Sequence, residues 1–236
     1  MTGLFKVLIA DSIKPDGLTP FVGRDDIVVV QKKVDEVVEE LHIFDALLVR
    51  SATKVTEDLL QKMTNLKIVA RAGVGIDNID VPSCTNRGVI VVNAPDGNTI
   101  STAEHTFAMM ASLARNIPQA YQSLKSGAWE RNRFAGAELK GKTLGIIGMG
   151  RIGTELTKRA KAFQMNVFAF DPFITADRAK ELGVNVGTLE NLLEVSDFIT
   201  VHTPLNKDTK SLLDKETIYK CKDGVYLINC ARGGII

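Results

Sequence analysis

The sequence predicts an α/β protein made of two doubly wound parallel-sheet domains. Short runs rich in Val and Ile, apolar on both faces, recur along the chain. Helical segments with polar faces alternate with them, and the whole alternation runs through twice, on either side of one long apolar helical stretch. Strands that are apolar on both faces suit a parallel sheet covered on both sides.

In the first series the strand-like runs are FKVLIAD (5–11), DIVVVQ (26–31), ALLVRS (46–51), KIVARAG (67–73) and VIVVNAP (89–95). KKVDEVVEEL (32–41) and TEDLLQKM (56–63), between them, have helical spacing. The second series is TLGIIG (143–148), NVFAFD (166–171), FITVH (198–202) and VYLINC (225–230). Its helices fall near 151–164, 175–182, 188–195 and 214–220. Between the two series, Ser101 and Glu104 make a capping box. The run beyond them is apolar enough for a deeply buried helix over 101–115. Pro118 breaks that pattern and a second helix begins. The boundary lies near residue 98, giving domains of 1–98 and 99–236.

Composition narrows the function classes. A chain of 236 residues, 45% hydrophobic and 24% charged, has the profile of a soluble globular protein. Lys and Arg number 29 against 28 Asp and Glu, so no basic surplus argues for nucleic acid. The N-terminal MTGLFKVLIAD reaches a charge too early for a signal peptide, and no apolar run approaches the roughly 18 residues of a membrane span. Cys84, Cys221 and Cys230 lie far apart with no metal-binding spacing, so no metal is expected; they fit a reducing cytoplasm.

The chemistry concentrates where strands end. Gly148-Met149-Gly150-Arg151-Ile152-Gly153 follows a strand and opens a helix. The first glycine permits the tight turn, the second lets amides approach a pyrophosphate, and the third lets helix and strand pack closely. Asp171 ends the next strand, 23 residues after Gly148, where a carboxylate would accept from the adenosine ribose hydroxyls and repel the extra phosphate of NADP. The alternative is a tight turn with a solvated Asp. A dinucleotide across this edge would meet Thr203, Cys230 and Ala231 near its nicotinamide half. Arg232 would then face the reacting molecule, able to clamp a carboxylate and polarise the carbonyl beside it. The alternative there is a surface arginine capping a strand.

The first domain's strand ends offer Arg50, Ser51 and Lys54, then Arg71 with Gly73-Val74-Gly75, then Asn93 and Asn98. Together they form a polar, partly cationic rim. Of the three histidines, His42 reads as surface, His105 as a core or interface residue, and His202 as the end of a strand before a rigid Pro204 turn. None makes a convincing general base for taking a hydroxyl proton.

LVRSATKV, RAGVGIDNID, VNAPDGNTISTAEHT, ELKGKTLGIIGMGRIG, FDP, FITVHTPL and NCARGG, in that order, resemble the NAD-dependent D-isomer-specific 2-hydroxyacid dehydrogenases over essentially the whole chain. The resemblance implies a flavodoxin-like substrate domain and a Rossmann NAD-binding domain, both C-terminally incomplete, with NAD as cofactor and a homo-oligomer formed through the NAD domain. It implies a phosphorylated 2-hydroxyacid as substrate; the alternatives are another small D-2-hydroxyacid such as glyoxylate or hydroxypyruvate, or a noncatalytic NAD-sensing corepressor. It makes Arg232 catalytic, places Gly148, Gly150, Arg151, Ile152, Gly153, Asp171, Thr203, Cys230, Ala231, Arg232 and Val74 at the cofactor, and Arg50, Ser51, Arg71, Gly73, Val74, Gly75 and Asn98 at the substrate. SGAWERNRF resembles the segment that brings cations to the cleft, through Arg131 and Arg133; the alternative is a solvated Arg-rich turn. The family's acid/base histidine, the glutamate that orients it and the helix returning to the first domain are expected beyond residue 236. The chain therefore reads as an N-terminal fragment, inactive by itself.

Overall fold

A computed structural model describes residues 3–236. The chain divides into two compact units, Met1–Asn98 and Thr99–Ile236. The first unit holds strands β1 (Phe5–Ile9), β2 (Ile27–Gln31), β3 (Ala46–Val49), β4 (Ile68–Arg71) and β5 (Ile90–Asn93), all parallel and ordered β2-β1-β3-β4-β5. The period-2 alternation of a strand splits their side chains between two cores. Leu8, Leu47 and Val69 pack on one face with Leu41, Phe44, Leu59, Leu60 and Met63. Val7, Ile9 and Ala46 face the other way, onto Leu18 and Phe21.

Helix α1 (Glu57–Lys62) starts where the Thr56 hydroxyl accepts from the Leu59 amide at 3.4 Å, and buries Leu59 and Leu60. Helix α2 (Val81–Asn86) is capped by Asp80, which accepts from Ser83 N at 3.0 Å. Residues 32–41 differ from expectation. They form two short 3-10 segments, Val34–Glu36 and Val38–Ile43, instead of one α-helix. Val34, Val37 and Val38 are β-branched and lose rotamer freedom in an α-helix. Val37 and Leu41 are both buried in the core. The sheet is also less evenly covered than expected. On its second face the 3-10 segment Pro15–Phe21 covers β1 and β2, whereas Ile90 and Val92 of β5 remain 61% and 41% exposed.

The second unit opens with α3 (Thr99–Ala114) and α4 (Ile117–Lys125), whose first turn contains Pro118. Its strands β6 (Thr143–Ile147), β7 (Asn166–Phe170), β8 (Asn185–Val186), β9 (Phe198–Val201) and β10 (Tyr226–Asn229) are parallel and ordered β10-β9-β6-β7-β8. Helices α5 (Arg151–Ala162), α6 (Ala176–Leu182), α7 (Leu189–Val195) and α8 (Lys215–Ile218) connect them. Leu144, Ile146, Leu156, Ala160 and Val167 fill one face, and Ile147, Leu192, Leu193, Ile199 and Val201 the other.

Two expectations for α3 are corrected. It begins at Thr99, so Ser101 lies inside the first turn and is not the cap. It is also not deeply buried: only Ala103, Thr106, Met110 and Ala114 are, on a single stripe packed against α5 and β10. Ile100, His105 and Met109 are exposed. Small residues on both helices, Ala103 and Ala114 on α3 and Ala160 on α5, permit that close packing, so a high apolar content reflects a tight contact on one side. Among the described residues no helix is long and apolar enough to cross a membrane.

Candidate functional site

Because the strands of the second unit are parallel, Gly148, Asp171, His202 and Cys230 all emerge at one edge of the sheet. Strand order runs outward in opposite directions from β6 and β9, and that reversal is where doubly wound sheets bind ligands. Gly148 has φ +98°, and a Cβ there would lie 2.8 Å from the His202 carbonyl oxygen and 3.0 Å from Thr203 Cγ2. Gly153 is buried where a Cβ would run into the Gly148 carbonyl oxygen. Gly150 is different: nothing stands within 4 Å of its absent Cβ, and Arg151 begins α5 beside it. The first and third glycines therefore serve the protein's own packing. The middle one keeps open the space in front of a helix N-terminus.

Asp171 is half-buried. Its Oδ2 accepts from Met149 N at 2.7 Å and its Oδ1 from Phe173 N at 2.8 Å. One carboxylate thus ties the glycine-rich turn to the end of β7, and each oxygen keeps a further lone pair for a hydroxyl donor. His202 Nε2 lies 3.1 Å from Thr200 Oγ1, and burial pushes the imidazole down to about 4, so it is neutral near pH 7. His202 Nδ1 and Thr203 Oγ1 are buried at this edge without a hydrogen-bond partner. His42 and His105 are exposed, so of the two readings of His105, core or interface residue, the core one is corrected.

The loop after β10 is shaped by Asn229. Its Oδ1 accepts from Ala231 N at 3.0 Å and its Nδ2 donates to the Arg232 carbonyl at 2.8 Å. This closes the turn that carries Arg232, whose Nη1 donates to the Ala231 carbonyl at 2.9 Å. Cys230 Sγ approaches Met109 Sδ at 3.6 Å. Arg131 and Arg133 sit in an exposed 3-10 segment, Arg131–Phe134. Arg133 pairs with Glu130 at 3.0 Å, and Arg131 lies over the Trp129 ring at 5.9 Å.

The first unit gathers Arg50, Ser51, Arg71 and the Gly73-Val74-Gly75 stretch at the carboxyl edge of its own sheet. The Asp11 carboxylate accepts from Arg50 N at 2.6 Å, Thr53 Oγ1 at 2.7 Å and Thr53 N at 3.2 Å. Burial raises its pKa, but the Thr53 hydroxyl and the amides of Arg50, Thr53 and Ala52 outweigh burial and hold it below its ordinary value. Asn78 Nδ2 donates to the carbonyls of Arg50 and Thr53 at 2.8 and 2.6 Å. Arg71 Nε donates to the Arg50 carbonyl at 3.1 Å, and Gly73 lies against its guanidinium. The Arg71 side chain is only 9% exposed, yet its Nη1 has no hydrogen-bond partner. Asn93 Nδ2 steadies the Val74 carbonyl at 2.6 Å, and Asn98 is exposed at the end of the unit. A cavity of about 950 Å³ opens beside Arg50, lined also by Asp11, Ser12, Lys33, Ser51 and Lys54. Asp11 and Lys33 belong to no motif, and Asn78 and Asn229, though inside RAGVGIDNID and NCARGG, carry no predicted role. The one legible sign is that Asp11 and Asn229, like Asp171, are lone polar residues closing an apolar run.

Residues 107–236, more than half of the chain, match the family described as D-isomer specific 2-hydroxyacid dehydrogenase, NAD binding domain. The chain belongs to the D-isomer specific 2-hydroxyacid dehydrogenase family. It is similar to the D-3-phosphoglycerate dehydrogenase of Bacillus subtilis, 64% identical over 233 residues that cover 99% of this chain and 44% of that protein. The D-3-phosphoglycerate dehydrogenase of Archaeoglobus fulgidus is 49% identical over 234 residues, 98% of this chain and 44% of that protein. Among solved structures, the D-lactate dehydrogenase of Aquifex aeolicus complexed with NAD and lactic acid is 34% identical, with a TM-score of 0.86 over 98% of this chain and 70% of that one. The chain spans a little under half the length of the curated relatives it matches. NAD is the cofactor of the family domain, and the residues fit it. The open Gly150 side, the Asp171 lone pairs and the unpartnered His202 Nδ1 and Thr203 Oγ1 are polar positions that a dinucleotide's phosphates and hydroxyls would satisfy.

Proposed function

We propose that the protein carrying this chain oxidises 3-phospho-D-glycerate to 3-phosphohydroxypyruvate with NAD, the first step of L-serine biosynthesis. The observation that carries this reading is the 64% identity to a D-3-phosphoglycerate dehydrogenase along 99% of the chain. Bound NAD supplies the hydride acceptor. The amides of Gly150, Arg151 and Ile152 hold its pyrophosphate, with Gly148 and Gly153 giving the turn its shape. Asp171 accepts from the adenosine ribose and disfavours NADP, and Thr203, Cys230, Ala231 and Val74 line the rest of the cofactor. Arg232 clamps the substrate carboxylate and polarises the carbonyl that forms. Arg50, Ser51, Arg71, the Gly73-Val74-Gly75 amides and Asn98 hold the acid, with Arg131 and Arg133 contributing positive charge for its phosphate. The buried Arg71 guanidinium, whose Nη1 has no hydrogen-bond partner and only a long ion pair with Asp77 at 4.0 Å, supports its place among them.

The same reading includes a homo-oligomer formed through the second unit. Ile117, Tyr121 and Leu124 are exposed on α4, and Trp129 follows them at 73% exposure, an apolar surface suited to a second copy. The free thiols of Cys84, Cys221 and Cys230 suit the cytoplasm. The test is an assay of the intact protein against a panel of 2-hydroxyacids with NAD. Fastest turnover on 3-phosphoglycerate is expected. A preference for lactate or glycolate would overturn the substrate, and NAD binding without any turnover would favour a sensing role.

A further inference from the structure

We infer that Asp11 and Thr53 are positioning residues, which hold the Arg50–Thr53 loop in its ligand-binding shape before any ligand arrives. The inference rests on the assignment of Arg50 and Ser51 to substrate binding and adds what sets them in place. A loop leaving a parallel strand must satisfy its own amides and carbonyls. Here two neighbouring strands supply the partners, from opposite sides. From the end of β1, Asp11 takes the amides of Arg50 and Thr53 and the Thr53 hydroxyl, at 2.6, 3.2 and 2.7 Å. From beyond β4, Asn78 donates to the carbonyls of the same two residues at 2.8 and 2.6 Å. Both ends of a four-residue loop are therefore fixed through both of their peptide groups, leaving Ser51 and Ala52 exposed between them. The Arg50 guanidinium is steered as well, since its Nη1 lies 3.3 Å from the carbonyl of Ser12, the residue after Asp11.

The chemistry explains why an aspartate is needed. The groups that meet Asp11, the Thr53 hydroxyl and the amides of Arg50, Thr53 and Ala52, are all donors, so the residue must be acceptor-only, and its charge strengthens each bond. An asparagine has the same shape but turns an NH2 toward at least one of those donors. Thr53 contributes the one side-chain donor among them, which makes it the gentlest point of attack. Thr53→Val removes the hydroxyl at nearly constant volume and leaves Asp11 its backbone partners. Thr53→Ser keeps the hydroxyl.

The test uses the intact protein and reads NAD-linked oxidation of 3-phosphoglycerate together with amide exchange at Arg50 and Thr53. Thr53→Val is expected to raise KM for the acid by about tenfold, the scale of one hydrogen bond to a charged group. NAD affinity should stay at its wild-type value, and the melting temperature should fall only by the few degrees that one lost hydrogen bond costs. Thr53→Ser should restore KM, and Asp11→Asn should raise it further while speeding exchange at both amides. The inference is overturned if Thr53→Val leaves KM within twofold, if NAD affinity falls in step with KM, or if Thr53→Ser fails to restore it. Absence of phosphoglycerate turnover in the wild-type protein would sink the substrate reading alone. Unprotected amides at Arg50 and Thr53 in the wild-type protein would sink the clamp alone.

Discussion

Replacing His202 with Gln should remove a pH dependence of stability that its burial builds into the second unit. The imidazole titrates at 6.5 when solvated and is pushed down to about 4 by burial beside the glycine-rich turn. Between those values the unfolded chain binds a proton that the folded chain refuses, so stability is lost as pH falls. From pH 7 to pH 5 the unfolded histidine takes up most of a proton and the folded one very little. Integrating that difference gives a loss of about 2 kcal/mol, equivalent to roughly a thirtyfold change in the folding equilibrium. Gln cannot titrate, and its amide can still reach Thr200, the hydrogen-bond partner of His202 Nε2. Two measurements check this. The first is an NMR titration of the histidine ring protons, in which the resonance missing from His202→Gln should move only near pH 4. The second is urea unfolding of both proteins at pH 7 and pH 5, where other carboxylates and histidines cancel in the difference. A His202 resonance titrating near 6.5, or equal losses of stability in the two proteins, would refute the reasoning.

Three further outcomes follow from the same edge and its supports. Asp171→Ala should weaken NAD binding by about ten- to a hundredfold, the scale of lost charge-assisted bonds, and narrow the preference over NADP; titration with both dinucleotides reads this directly. Gly150→Ala and Gly145→Ala should separate binding from packing. The Gly150 Cβ would meet nothing within 4 Å, so folding should be unaffected while NAD affinity falls at least tenfold; the Gly145 Cβ would press into Ser196 Oγ and stand 2.7 Å from Leu192 Cδ2, lowering stability by about 1–3 kcal/mol. In the intact protein Arg50→Ala and Arg131→Ala should each raise KM for phosphoglycerate by about one to two powers of ten. Wild-type kinetics in both would place the phosphate elsewhere.

What was legible in the sequence follows from which constraints are local. Strands such as Leu144–Ile147 and Phe198–Val201 are fully buried, so nearly all their residues are apolar, with Thr200 the polar one, and the run announces itself. Gly148 and Gly153 are fixed by close approach of backbone, which only glycine tolerates, so their spacing is legible too. The exposed side of α3 was not, because Ala, Met and Phe at helical spacing look alike whether one stripe or the whole helix is buried. The 3-10 geometry of Val34–Ile43 was not legible either, because Val34, Val37 and Leu41 have the same spacing as one face of an α-helix. The loop braces were hidden for the same reason. Asp11 meets Arg50 across 39 residues of chain, and Asn78 meets Arg50 across 28.

Once strand order is known, those braces share one logic. Asp11 ends β1 and accepts amides from the loop after its neighbour β3; Asp171 ends β7 and accepts the Met149 amide from the loop after its neighbour β6. In both units a carboxylate at one strand tip satisfies the backbone of the functional loop beside it. That changes how Asp171 must be read. A carboxylate that also holds the glycine-rich turn will weaken dinucleotide binding when removed, whether or not it touches the ribose. Loss of NAD affinity in Asp171→Ala therefore reports the brace and the ribose contact together. NADP, which shares the pyrophosphate but carries an extra ribose phosphate, suffers the loss of the brace equally and gains relief from repulsion. Only the ratio of the two affinities isolates the ribose role. If NAD and NADP binding fall by the same factor, Asp171 shapes the turn and selects nothing.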